Sequence, residues 1–259
     1  MSESTVLIGD LVRLHHEDYR EDIPFWIAKT KEYNFVLELG CGYGRVSLPL
    51  LEAGRRVVGL DYDWRALRYL KSKIRLYDLD LQQRIHLVQA DMHNFFMGEK
   101  FDSIIFPCNT YSSISSEGRR QLLENLVGML NSGGLFIVSM PNPDQMNVLR
   151  KSLIESDQNS EPEIETTFTH PEIKYPVQVS SLVSLSDAGI HWEWIYDLLK
   201  HDGNVERHRR TNPYFLSSLT TYTQELQDAG FNIDACLGDF DESEFHQDSP
   251  HLILVARYP

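Results

Sequence analysis

The stretch that decides the fold is Val36-Leu37-Glu38-Leu39-Gly40-Cys41-Gly42-Tyr43-Gly44-Arg45. It opens as a short apolar strand that runs into glycines at alternate positions, which let the chain turn sharply and bring backbone close to a ligand. A helix follows, and the unpaired N–H groups at its start suit a carboxylate or phosphate. A dinucleotide fingerprint reads G-x-G-x-x-G. Counted from Gly40, the third glycine of that pattern falls on Arg45, a bulky residue where helix and strand must pack closely. The pattern here is E-x-G-x-G-x-G, with Glu38 two residues before the first glycine, which suits an amino acid–nucleoside ligand better than a pyrophosphate.

Outward from this loop, short β-branched runs alternate with amphipathic segments, the signature of a parallel α/β sheet. Strands are predicted at 35–39, 56–60, 85–90, 101–106 and 135–140, and helices at 45–53, 64–77 and 118–130. The second strand ends at Asp61 and the third at Asp91, where each acid can accept hydrogen bonds from a ligand. After Pro141 the polar, acidic stretch 151–165 reads as a mobile connection. Antiparallel strands follow at 177–185, 191–200 and 204–212, joined by Ser186-Asp187-Ala188-Gly189 and by the hairpin signal Asp202-Gly203. Trp192, Trp194 and Tyr196 alternate onto one face of the middle strand. A helix at 217–229 and strands at 231–237 and 252–257 close the chain. The expectation is a doubly wound, Rossmann-like α/β fold with a seven-stranded sheet. Its parts are N-terminal covering helices (1–34), a cofactor-binding core (35–145), an antiparallel insert acting as a substrate lid (146–212), and a last helix and strands completing the core (213–259).

Composition narrows the function. The chain has 259 residues, with 38 Asp plus Glu against 24 Lys plus Arg, a net charge of −14. Such a balance disfavours a nucleic-acid partner, because phosphate neutralisation needs clustered basic residues. Three cysteines, Cys41, Cys108 and Cys236, do not make a disulfide framework and point to a reducing compartment. Met1-Ser2-Glu3-Ser4 lacks the basic flank and apolar run of a signal peptide, and no apolar run is long enough to span a membrane. A cytoplasmic protein with no membrane partner is expected, and a homodimer through the insert is compatible with the sequence. The ten histidines show no metal-ligand spacing, so no metal is expected.

Glu38 to Arg45, followed by Asp61 and Asp91, resembles the cofactor loop of class I S-adenosylmethionine-dependent methyltransferases. The likeness extends over nearly the whole chain. Asp22-Ile23-Pro24-Phe25-Trp26 is similar to the covering helix of a bacterial small-molecule subgroup. Asn212-Pro213-Tyr214-Phe215, read as a helix opening, and Asp248 to Arg257 are similar to its C-terminal part. The resemblance implies S-adenosylmethionine as cofactor, S-adenosylhomocysteine as product, and methyl transfer to nitrogen or oxygen of a small molecule. It implies that Glu38 and the backbone of Gly40, Cys41, Gly42 and Gly44 hold the methionine moiety. Asp61 takes the ribose hydroxyls, Tyr62 lines the adenine, Asp91 accepts from the adenine amine, and Met92 packs on the ring. Pro107 and Asn109, flanking Cys108, lie where the family places the activated methyl and the substrate.

Tyr19 is expected at the cofactor and Tyr111 at the acceptor, with Trp192 and Trp194 as further substrate contacts; no catalytic base is assigned. Ala90 and Ser132 depart from the glycine and proline usual in the family, which bears on turn geometry alone. The Asn-Pro-Pro-aromatic run of enzymes that methylate base amines or glutamine is absent: the residues after the fourth strand read Pro107-Cys108-Asn109-Thr110-Tyr111. Nucleic-acid or protein methyltransferases, and a silent cofactor-binding protein, remain the alternatives. Plain structural readings also stand: Cys41 and Cys108 as buried fillers, His15 and His16 as solvated surface, and Arg207 to Arg210 as a charged edge strand.

Overall fold

The computed structural model describes residues 8–155, 161–187 and 189–259. The extreme N-terminus, part of the acidic 151–165 stretch and Ala188 of the first hairpin turn lie outside them. In chain order the elements are α1 (Ile8–His16), α2 (Ile23–Lys29), β1 (Phe35–Leu39), α3 (Ser47–Glu52), β2 (Arg56–Asp61), α4 (Trp64–Ile74), α5 (Leu79–Gln83), β3 (Ile85–Gln89) and β4 (Phe101–Phe106). A 3₁₀ turn follows at Thr110–Ser113, and then α6 (Ser116–Val127), β5 (Leu130–Pro141), α7 (Pro143–Glu155), β6 (Glu163–Thr169), β7 (Pro176–Ser186), β8 (Gly189–Leu199), β9 (Val205–Phe215), α8 (Leu219–Asp228), β10 (Asn232–Leu237) and β11 (His251–Arg257).

Two compact units result. One comprises 21–146 with 217–259; the other comprises 1–20 with 147–216. The N-terminal helices are therefore shared out: α1 packs with the insert, and α2 with the core.

The larger unit is built on a seven-stranded sheet in the order β10-β11-β5-β4-β1-β2-β3, with β11 antiparallel to both neighbours. It is the Rossmann-like doubly wound arrangement that the strand and helix alternation implies. Alternate residues of each strand feed opposite layers. On one face Leu37, Leu39, Ile104, Phe106 and Phe136 pack with Leu122 and Leu126 of α6 and Leu226 of α8. On the other, Val36, Val57, Ile105 and Ile137 pack with Trp26 of α2, Leu50 of α3 and Leu70 of α4. Chain order reverses between β1 and β4, and in such sheets ligands bind beyond the carboxyl ends of the strands at that switch point.

The smaller unit is a four-stranded antiparallel sheet, β6-β7-β8-β9. Leu11 of α1 packs on Val177, Val179, Tyr196 and Leu198. β9 is an edge strand, and Arg207 and Arg209 reach across to Asp197 and Glu193 of β8, the charged edge expected of residues 207–210.

Three expectations need correction. The polar segment predicted as a mobile connection holds the end of α7 and the start of β6. Asn212 to Phe215 ends strand β9 rather than opening a helix; α8 is capped by Ser218, whose hydroxyl accepts from the Thr221 amide at 3.1 Å. His15, read as surface, is enclosed: Nδ1 lies 3.1 Å from the Tyr196 hydroxyl and Nε2 lies 3.3 Å from Glu165.

Candidate active site

At the carboxyl end of β1, Gly40, Gly42 and Gly44 all take positive φ, at 75°, 51° and 84°. Gly44 is the most constrained, since a Cβ there would stand 2.3 Å from Leu70 Cδ1. The left-handed turn aims the Gly42 amide at Asp61, donating to Oδ2 at 2.7 Å, while the Asp63 amide donates to Oδ1 at 2.8 Å. Asp61 is only 8% exposed. Burial raises its carboxyl above the usual range, with the backbone hydrogen bonds working in the opposite direction.

Glu38 is 2% exposed and meets the Ser47 hydroxyl through Oε2. Burial pushes its pKa up to about 8, against the Ser47 hydrogen bond and the Arg45 charge. Arg45, which read only as a mismatch to the dinucleotide pattern, is central here. Its Nη1 and Nη2 donate to Asp22 Oδ1 and Oδ2 at 2.5 and 2.7 Å, and Nη2 also lies 2.7 Å from Cys108 Sγ. Asp22 accepts from Trp26 Nε1 at 2.9 Å as well. One guanidinium thus ties α2 and the glycine loop to the end of β4. The sequence offered the identity of Asp22 and Arg45 but no spacing rule that pairs them.

Pro107 is buried, and the next two residues, Cys108 and Asn109, adopt left-handed conformations with φ of 60° and 61°. Non-glycine residues held this way cost on the order of 1–3 kcal/mol each and persist where the surroundings enforce them. Cys108 is exposed rather than a buried filler, whereas Cys41 is buried against Gly59. At the end of β3, Asp91 accepts from both the amide and ring Nδ1 of His93 through Oδ1. Those hydrogen bonds hold it below the usual carboxylate range and leave Oδ2 open. Met92 is half-buried against the core, and Tyr62 is 61% exposed.

Glu38, the glycine loop, Asp61, Tyr62, Asp91, Met92, Pro107 and Asn109 therefore share the carboxyl end of one sheet. Tyr111 does not join them. It is fully buried, packed on Phe106, Phe136 and Tyr222, and burial drives its phenol far above the usual range. It is a core residue and not an acceptor contact. Tyr19, Trp192 and Trp194 belong to the smaller unit, where Trp194 stacks edge-on with His15 and His16.

A ribose needs an acceptor anchored at the end of β2, an ammonium needs a buried carboxyl group, and a close backbone approach needs a loop without side chains. The residues present meet all three. Among the described residues no group of three His, Cys, Asp or Glu could hold a metal, and no helix is long and apolar enough to cross a membrane.

Residues 36–134 match the model of a methyltransferase domain. A putative methyltransferase of Geobacillus sp. strain WCH70 is 21% identical over 223 residues, 86% of this chain and 83% of the relative. The solved structure of an S-adenosylmethionine-dependent methyltransferase from Clostridium acetobutylicum superposes with a TM-score of 0.75 at 15% identity, covering 95% of both chains. A sugar N-methyltransferase from Streptoalloteichus superposes with a TM-score of 0.73 at 15% identity, covering all of this chain and 95% of the other. Residues 36–134 thus carry a methyltransferase domain, and the fold around it is that of class I S-adenosylmethionine-dependent methyltransferases.

Proposed function

We propose that the chain transfers the sulfonium methyl of S-adenosylmethionine to a small molecule, and that the acceptor atom is a nitrogen. The observation that carries the reading is the convergence of the Gly42–Asp61 and Arg45–Cys108 contacts at the switch point of the sheet. In it, Asp61 takes the ribose hydroxyls and Glu38 takes the ammonium group. Asp91 accepts from the adenine amine through its open Oδ2, with Met92 and Tyr62 against the ring. The strained turn at Pro107, Cys108 and Asn109 holds the acceptor.

The cofactor supplies an electrophilic methyl carbon. The acceptor nitrogen's lone pair forms the new N–C bond as the S–C bond breaks in line, and sulfur leaves as a neutral thioether. The nitrogen then sheds a proton to solvent. The protein's task is alignment and water exclusion, with no base required for a neutral amine. An oxygen acceptor would need a base, and Tyr111 is too deeply enclosed to serve. The missing Asn-Pro-Pro-aromatic run, the net charge of −14 and the full-length likeness to a sugar N-methyltransferase support a small amine over nucleic acid or protein.

The test is methyl transfer from radiolabelled S-adenosylmethionine to three pools: amino sugars and other small amines, their hydroxyl analogues, and tRNA with protein. Labelling of the amines is expected. Labelling confined to tRNA or protein overturns the reading.

A further inference from the structure

Glu38 sits one residue before the end of β1, in register with Gly59 of β2 on one side and Ile105 of β4 on the other. No lysine or arginine nitrogen lies within ion-pair distance of it among the described residues. Its hydrogen-bond partner is the Ser47 hydroxyl. The nearest guanidinium, Arg45, is turned to Asp22 and Cys108. The other groups facing Glu38 are Asp61 at the end of β2 and Asp22 at the start of α2, both of like charge, and the thiols of Cys41 and Cys108. A buried carboxylate facing two other carboxylates and one committed cation is poorly compensated. The Ser47 hydroxyl can donate to a carboxylate or accept from a carboxylic acid, so that contact survives either state.

We infer that Glu38 stands as a neutral carboxylic acid in the unliganded protein, and that seating the ligand's ammonium group expels its proton. The site thereby reads the ammonium by an ionisation step as well as by shape. This rests on the proposal that the loop binds S-adenosylmethionine. The proton balance is simple: the acid gives H⁺ to the buffer, and the carboxylate left behind pairs with the ammonium. Burial holds the resting carboxyl up at about 8, and a cation brought into contact pulls it back toward the ordinary range. Binding at pH 7 then releases close to one proton, and affinity rises by up to about tenfold per pH unit between roughly pH 5 and 8.

The experiment is calorimetric titration of the full chain with S-adenosylhomocysteine at pH 7, in phosphate and in Tris, whose ionisation heats differ widely. Buffer-dependent heats equivalent to nearly one released proton are expected. Glu38→Gln should abolish the release. Ser47→Ala should move the release to higher pH, since the hydroxyl favours the ionised form. 5′-Methylthioadenosine, which lacks the ammonium, should bind without proton release. S-adenosylhomocysteine binding with no buffer dependence overturns the inference and leaves the cofactor reading intact; no binding at all overturns both. Release that persists in Glu38→Gln moves the proton to another group, such as Asp61, and contradicts the assignment.

Discussion

The Gly42 amide donates to Asp61 Oδ2 at 2.7 Å, a contact that joins the turn after β1 to the end of β2 before any ligand arrives. With the Asp63 amide on Oδ1 at 2.8 Å, both carboxylate oxygens are oriented and each keeps a lone pair for a ribose hydroxyl. Asp61→Ala should therefore weaken S-adenosylhomocysteine binding by about 100-fold or more, at roughly 1.5–3 kcal/mol for each hydrogen bond to a charged group. Calorimetry reads this directly. An unchanged Kd would remove Asp61 from the site.

Gly44→Ala should be severe for a different reason. Its φ of 84° and the 2.3 Å approach to Leu70 Cδ1 leave a methyl no room. A loss of about 1–3 kcal/mol in urea denaturation is expected from overpacking with backbone strain. Stability equal to the parent chain would show that the loop relaxes freely.

The Asp22–Arg45 pair should behave as a buried ion pair. Removing one partner, as in Asp22→Leu or Arg45→Met, leaves an uncompensated charge and should cost about 3–5 kcal/mol. The double variant should cost much less than the sum. Additive losses in a double-mutant cycle would mean that the two side chains do not act as a pair.

Tyr111→Phe should leave methyl transfer unaltered and stability unchanged or raised by about 1 kcal/mol, because the phenol oxygen is buried without a hydrogen-bond partner. A large fall in kcat with the fold intact would return Tyr111 to the chemistry.

Glu38 also gives a pH dependence whose sign follows from its raised pKa. The unfolded carboxyl loses its proton near 4.5, while the folded one keeps it up to about 8. As pH rises through that window the unfolded chain binds fewer protons than the folded chain, so unliganded stability falls. The difference in stability between wild type and Glu38→Gln should shift in favour of the variant from pH 5 to 8, by on the order of a few kcal/mol. Taking the difference cancels His170 and His251, whose lowered pKa values act in the opposite direction below about pH 6.5. A flat difference would mean that Glu38 titrates normally.

What the sequence disclosed follows burial. β1, β2, β4 and β11 are buried along most of their length and read as largely apolar runs, and the alternate glycines with Glu38 and Asp61 marked the cofactor loop. β6 was illegible because nearly all its residues are exposed, so no apolar alternation survives. Asn212-Pro213 carries a turn signal, yet it ends an edge strand, where proline is tolerated because the outward side needs no amide. Tyr111 follows the β4 turn closely in sequence, and the 3₁₀ turn rolls it back into the core. The Asp22–Arg45 pairing depends on α2 packing beside α3, a tertiary contact with no sequence spacing to announce it.

The most direct test of the central claim is a calorimetric titration of the intact chain with S-adenosylhomocysteine, alongside Asp61→Ala. Saturable one-to-one binding that the substitution weakens by about 100-fold or more is the expected result. An absence of binding in the folded, unsubstituted protein would contradict the account.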